Sequence, residues 1–436
     1  MSSDDELTAK QFQVADGAED WRALARGASA WFSAPSHTSG AALVSRVADL
    51  ADRSDRLPDI DVRAGGVHVR VGTSGSRGFT SDDLEMARAI SAAARDLGLA
   101  GDPSAVQTVQ LAIDSVDKRS VMSFWRTVLG YEQVDEDNLV DPMRRDPAIW
   151  FQSQDQPRPL RNRIHVDVSR PHSTLDEATS RVGTAGGHPM YEGEYYATFA
   201  DADGNEVDLV PEDRLGGGAE TADWRVIFGA MTFYPTVSPA QSAELAAAAA
   251  GLVDASGMPL LIDLRPDGVT LDTGKDQWED ERFEDLARRI QSAARGMGLT
   301  ADNKRLRFVQ IGIDAVDVPA VRAFWRAVLG YEYDQRPGVT DIFDPRRLNL
   351  PIFFQQMPAS EEARRHQRNR IHVDVFVPDD QARSRTDAAL AAGGRIAYDD
   401  EAPEWWTLAD PEGNEVDIAV SAGREELWLA ARSDAG

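Results

Sequence analysis

The chain repeats itself, and that repeat limits its architecture more than any other feature. FWRTVLGYE at 124–132 returns as FWRAVLGYE at 324–332, RNRIHVDV at 161–168 returns unchanged at 368–375, and GNEVDL at 204–209 returns as GNEVDI at 413–418. The three blocks keep their order and recur about 200 residues later, too long a period for a solenoid. The chain is therefore one multi-domain unit written twice. Each copy divides again at stretches rich in Gly, Pro, Asp or Ala: LGLAGDPSA at 97–105, RLGGGAETA at 214–222 and LTADNKR at 299–305. The expected domains are 1–105, 106–213, 220–305 and 306–422. The first and third are alanine-rich helical stretches around a short strand pair, and the second and fourth are rich in strands.

Within 107–212, TVQLAID alternates as a strand does, and VDKRSVMSFWRTVLG places apolar residues at helical spacing with Gly130 as its stop. AIWFQS and RIHVDV read as strands, 173–185 as a helix closed by Gly186 and Gly187, and YYATFAD with NEVDLV as a closing hairpin. The order is βαβββ, twice per copy. Strand parity puts Ile164, Val166 and Val168 on one face and Arg163, His165 and Asp167 on the other. Leu111 and Ile113 likewise oppose Gln110, and Val207 and Leu209 oppose Asp208. A polar concave face suits a ligand pocket, although an antiparallel sheet also shows polar residues to water.

The helix end FW-x-x-VLGYE, the strand IHVDV and the hairpin D-x-x-GNEVD resemble the glyoxalase/bleomycin-resistance family, the vicinal oxygen chelate superfamily. The resemblance implies paired βαβββ modules curled into a half-barrel, with up to four concave side chains able to hold a divalent metal. Carried onto this sequence, those positions are Gln110, Gln152, His165 and Asp208 in copy one, and Gln310, Gln355, His372 and Asp417 in copy two. Two amides, one imidazole and one carboxylate make a weak set for a transition metal. The resemblance thus permits a divalent metal on Gln110, His165, Asp208, Gln310, His372 and Asp417 without requiring one, and no other cofactor is implied. Without metal, His165 could act as general base with Asp167 or Asp208 orienting it, and His372 with Asp374 or Asp417. A histidine that only hydrogen-bonds within its sheet is the competing reading. Trp150, Tyr195, Tyr196, Trp405 and Trp406 lie near the pocket strands in sequence, and Trp150 and Trp406 are taken as ligand-stacking candidates.

Residues 20–96, through LPDIDVRAGGVHVRVGTSGSRGFTSDDLEMARAI at 57–90, resemble pterin-4a-carbinolamine dehydratase. Pro58-Asp59-Ile60-Asp61 and Gly78-Phe79-Thr80 keep that family's frame, with a helix from about Ser81 capped by Thr80 or Ser81. The imidazoles its chemistry needs are replaced by Arg56, Leu57 and Ser74, and copy two carries Met258 and Gly274 at such places. Neither copy is expected to dehydrate a pterin. The domains should instead act as scaffolds, pairing the two halves internally. The fold class is thus α+β, two copies of a pterin-dehydratase-like α/β sandwich followed by a glyoxalase-like half-barrel.

The net charge of −27 argues against nucleic acid and anionic membranes as partners. The absence of cysteine removes disulfides and thiolate chemistry, and no apolar run is long enough to span a bilayer. A polar, acidic N-terminus points to the cytoplasm. The expected partner is a small molecule, and the assembly either a monomer with internal pseudo-twofold symmetry or a homodimer. Three functions stay open: sequestration of an aromatic or heteroaromatic ligand, a lyase or isomerase using His165 and His372, and a scaffold with no small-molecule role. Whether each barrel closes within its own copy or exchanges modules with the other is also open.

Overall fold

The computed structural model describes residues 6–25, 27–54, 57–72 and 78–424. The chain forms two compact units, each discontinuous in sequence: 1–107 with 213–306 and 420–436, and 108–212 with 307–419. No helix among the described residues is long and apolar enough to cross a membrane.

In the first unit each copy supplies the same succession. Copy one gives strand Gly27–Ser33, helix His37–Ser54, hairpin strands Asp59–Arg63 and Gly66–Val71, and helix Ser81–Asp96; copy two gives Gly229–Pro235, Pro239–Ser256, Leu261–Arg265, Gly268–Asp272 and Arg282–Gly296. Thr80 caps the helix Ser81–Asp96 through a reciprocal bond with Asp83, and Leu84, Ala87, Ile90 and Ala94 bury one face of it. The two hairpins join edge to edge, antiparallel, through Ile60–Leu264, Asp61–Asp263 and Val62–Ile262, making one nine-stranded sheet. Helices pack on its Ile60, Val62, Val67, Val69, Ile262 and Leu264 face. The two long helices are tied end to end as well, because Asp254 accepts the backbone N–H groups of His37 (3.1 Å) and Thr38 (2.8 Å). The internal pairing of halves is thus present. The expected strand pair is exceeded: Gly27–Ser33 and Gly229–Pro235 are further strands, buried over most of their length. GASAWFS carries alanine and serine where β-branched residues mark a strand, and small side chains suit a strand covered on both faces.

In the second unit each copy supplies two βαβββ modules: 1A (108–153) and 1B (164–211), then 2A (308–356) and 2B (371–419). The helix Lys118–Leu129 buries Val121, Met122, Phe124, Trp125, Val128 and Leu129, and Gly130 at φ +67° ends it, as its spacing predicts. The closing helix of module 1B is shorter than predicted, His172–Arg181, with a 3-10 turn at Gly183–Ala185 before Gly186.

The modules are exchanged between copies. Module 1A pairs with 2B in one eight-stranded sheet, through Thr108–Ser115 antiparallel to Ile371–Phe376. Module 1B pairs with 2A in the other, through Ile164–Arg170 antiparallel to Phe308–Ala315. The identical RNR blocks lock this exchange. Arg163 is 1% exposed and its guanidinium donates to the carbonyls of Arg365 (2.5 Å) and Glu412 (2.6 Å) in the other copy. Arg370 mirrors it, donating to Gly204 (2.8 Å) and the side chain of Asn205 (3.0 Å). Asn162 accepts the backbone N–H of Arg370, and Asn369 that of Arg163, each at 3.0 Å. Asp201 and Asp410, at the hairpin turns, accept the indole N–H groups of Trp125 and Trp325 at 2.9 and 3.0 Å.

Candidate functional site

The exchange regroups the candidate residues. In the register of the 1B–2A sheet, Asp167 lies opposite Gln310, His165 opposite Gly312, and Asp208 beside Asp167. His165, Asp167 and Asp208 bring a nitrogen and two carboxylate oxygens within 4.8 Å of one another. Gln310 Nε2 donates to Asp167 at 2.8 Å, and Thr198 Oγ1 donates to Asp208 at 2.5 Å. His165 Nε2 lies 3.6 Å from Asp167, and its ring meets Phe353 edge-on at 5.6 Å.

The 1A–2B sheet repeats this with His372, Asp374 and Asp417, again within 4.8 Å. Gln110 Nε2 donates to Asp374 at 3.2 Å, and Gln152 Nε2 lies 3.5 Å from His372 Nε2. Burial raises the Asp417 carboxyl, with His372 and Thr407 pulling the other way. The expectation that Gln110 and Gln152 serve His165, and Gln310 and Gln355 serve His372, is therefore corrected. Gln110 and Gln152 meet the His372 cluster, and Gln310 meets the His165 cluster, each across the copies. Gln355 is exposed on its strand, two residues beyond Phe353, with which it shares a face.

Trp150 shares a face with Gln152 and is 37% exposed. Trp406 is a correction. It pairs with Ile418 on the helix-covered face, and Trp405 shares the face of Thr407 and Asp417. In the other sheet that position is Tyr196, whose hydroxyl is raised first by burial and then by the nearby charge of Asp208. The sequence reading passed over Thr198, Thr407 and Phe353; two-residue periodicity counted back from the hairpin carboxylates would have found the threonines. The pockets also differ at one small residue. A Cβ on Gly312 would sit 2.3 Å from two atoms of the His165 ring, whereas the matching position beside His372 is Ala112.

The donor set fits a divalent cation better than the sequence implied, because Asp167 and Asp374 add a second carboxylate to each cluster. His165 Nδ1, Gln310 Oε1 and Asp417 Oδ1 are buried with no hydrogen-bond partner among the described residues. Such buried polar atoms call for an ion, water or ligand.

In the first unit, His68 is 6% exposed and bonded to Asp61 at 2.8 Å. Asp61 also accepts from Arg265 at 2.8 Å, and Arg63 pairs with Asp263 at 2.6 Å. Burial works to raise the Asp61 carboxyl, but Arg265, His68 and Arg63 outweigh it and hold it well below the usual range. Met258 is buried, Leu57 half-buried, and Gly274 sits at φ +79°. Arg56 and Ser74 lie outside the described residues.

Comparison with known proteins gives two families. The glyoxalase-like domain model matches residues 110–210 and 310–419, and the pterin 4 alpha carbinolamine dehydratase model matches 3–93. A curated protein of Nocardia farcinica, "Putative pterin-4-alpha-carbinolamine dehydratase", is 37% identical over 76 residues, 17% of this chain and 80% of that protein. Among solved structures, glyoxalase I from Zea mays aligns over 74% of this chain and 96% of its own, at 10% identity and a TM-score of 0.36. A glyoxalase/bleomycin resistance protein/dioxygenase family enzyme from Burkholderia phytofirmans aligns over 25% and 98%, at 14% identity and a TM-score of 0.18.

Proposed function

Because the chain belongs to the pterin 4 alpha carbinolamine dehydratase family over residues 3–93 and to the glyoxalase-like domain family over 110–210 and 310–419, we propose that its two concave pockets bind small molecules around a divalent cation. One observation carries this reading: a buried His–Asp–Asp cluster recurs in both exchanged sheets, with partnerless polar atoms in each. Solvated surface carboxylates would not be buried in this way.

His165, Asp167, Asp208 and the Gln310 oxygen would hold the cation in one pocket, and His372, Asp374, Asp417 and the Gln110 oxygen in the other. A bound cation supplies polarisation of an oxygen on the ligand. Asp167 and Asp374 orient the two glutamine amides through the bonds described above. Trp150 and Trp405 flank one pocket, and Phe353 and Tyr196 the other, which suits an aromatic or heteroaromatic ligand. Sequestration is the function these walls support best. A lyase or isomerase is the second reading, favoured by the His–Asp spacing of 3.6 Å in both pockets, where an imidazole could accept a proton beside a carboxylate. No dehydratase chemistry is assigned to the first unit, where His68 is held by Asp61.

The test is metal content per chain after incubation with nickel, zinc, manganese and iron, followed by dialysis. Two retained ions per chain, falling to one in His165→Ala or His372→Ala, are expected. No retained metal in any arm would remove the cation from the proposal, and failure of a ligand screen on the same protein would leave a scaffold. Turnover abolished in the double alanine variant would favour the enzyme over the binder.

A further inference from the structure

A second cavity lies away from both concave faces. It is a cleft of about 720 Å³ in the second unit, between the end of the helix Lys118–Leu129 and the helix His172–Arg181. Arg126, Arg170 and Arg181 line it, with Thr174, Glu132 and Glu177.

Arg170 ends its strand and is only 8% exposed. One guanidinium nitrogen donates to the Val128 carbonyl at 3.1 Å, and Nε has no partner among the described residues. A guanidinium offers five N–H donors in a planar fork, so most of that capacity is unused. The carboxylate that acts on it, Glu177, is more than half exposed and pairs with Arg181 at 2.8 Å, and Asp141 is bonded to Arg307. Burial and then the like charge of Arg307 lower the Arg170 pKa to about 10, with Glu177 opposing them.

Copy two solves the same position differently. Arg385 comes from another element, the helix Ala382–Ala391, and donates to the Val328 carbonyl at 3.1 Å as Arg170 does to Val128. Asp344, the counterpart of Asp141, supplies it with a counter-charge. The counterpart of Arg307 is Gln107, so no second guanidinium competes. Arg326 lies 4.9 Å over the Tyr333 ring, whereas the counterpart of Tyr333 is Gln133, and Arg126 is exposed and joins no ion pair among the described residues. Copy one thus places Arg170 and Arg307 near a single buried carboxylate, Asp141, while Glu177, the other counter-charge to Arg170, is more than half exposed and shared with Arg181 at 2.8 Å. Capping a helix carbonyl accounts for one donor of Arg170, and copy two shows that such a cap carries its own counter-ion here. A desolvated cation whose counter-charge is exposed and shared with another arginine is costly. A bound oxyanion would remove that cost through the arginine fork.

From this geometry we infer that the cleft between Arg126, Arg170 and Arg181 is a binding site for a small oxyanion, the phosphoryl or carboxylate group of a metabolite. It is independent of the concave pockets. The experiment is calorimetric titration of the full chain with inorganic phosphate and with succinate, each against chloride at matched ionic strength. Binding of either anion is expected, weakened about tenfold or more in Arg170→Gln, as loss of a charge-assisted hydrogen bond implies. Binding of phosphate alone assigns the phosphoryl class, and of succinate alone the carboxylate class. Arg126→Gln removes an exposed charge, so it keeps the test valid if the Arg170 variant does not fold. The inference fails if neither anion binds, or if a folded Arg170→Gln keeps wild-type affinity. If Arg170→Gln does not fold, wild-type affinity in Arg126→Gln overturns it.

Discussion

Gly312 and Ala112 differ by one methyl group, and that methyl distinguishes the two pockets. Alanine at 312 would place a carbon 2.3 Å from the His165 ring and 2.6 Å from Phe353, so the imidazole must leave its position over the strand. Gly312→Ala is therefore expected to cut retained metal from two ions per chain to one. Ala112→Gly, which only removes a methyl, should leave the count at two. Two ions in the Gly312 variant would show that the imidazole position is not what holds the cation. A second residue-scale prediction concerns Asp61. Its carboxyl is held down in the folded state, so its contribution is fully present above the ordinary carboxylate range and lost as pH falls through and below about 4. Asp61→Asn leaves Arg265 and Arg63 short of a buried counter-charge and should cost about 3–5 kcal/mol at neutral pH. The variant's urea midpoint should also depend less on acid than the parent's. Equal acid sensitivity in both would remove Asp61 from that role.

Two strand pairs record the exchange in their side-chain volumes. Ser169 lies opposite Phe308, and Thr108 opposite Phe376, so each sheet joins one large and one small residue. In the same register, pairing within a copy would set Thr108 against Ser169 and Phe308 against Phe376, leaving a hole in one sheet and overfilling the other. Ser169→Phe alone should cost about 1–3 kcal/mol by overpacking, and Phe308→Ser about 3–5 kcal/mol through the cavity. The two together should recover about 1–3 kcal/mol, the coupling of residues in contact. Phe308→Ser combined with Phe376→Ser should be additive, because those residues belong to different sheets. Urea midpoints of the single and double variants check this, and coupling between Phe308 and Phe376, which only pairing within a copy would set opposite each other, would contradict the exchange. The sequence carried these elements well wherever periodicity was clean, as in VMSFWRTVL and IHVDV. It hid the strand GASAWFS, whose small residues lack a strand pattern, and it hid the pairing of modules. Two identical RNRIHVDV blocks can pair within a copy or across copies with the same backbone bonds. What decides lies in residues that differ between copies, such as Phe308 and Thr108, and these become informative only once the register is known. For the same reason the site was legible residue by residue, with His165 and Asp208 both on the polar parity, but not as a set. Nearness in sequence does not separate Trp405 from Trp406; the hairpin register does, setting Trp405 on the face of Asp417.

At the scale of the molecule, the exchange means that neither copy holds a finished pocket. Gln110 must come from one half and His372 from the other, and Gln310 and His165 complete the reciprocal pair. The sheet of the first unit crosses the same divide, through the strand pair Asp59–Arg63 and Leu261–Arg265. Three antiparallel strand junctions therefore join the halves without any covalent link. The chain passes between copies near Gly217 and Gly218, where an added Cβ would meet no atom closer than 3.9 Å. A protease site placed there should be cut without disturbing the fold. After cutting, the halves are expected to stay together as one complex in native buffer, because parting them would expose both the buried RNR interlock and the seam of the nine-stranded sheet. Light scattering should return the mass of the intact chain, and metal content should stay at two ions per complex. Separation only in denaturant, with both properties regained on mixing and refolding the halves, would follow from pockets built across the copies. Fragments that part freely and still each retain an ion would mean that every copy completes its own pocket, and the exchanged pairing would have to be abandoned.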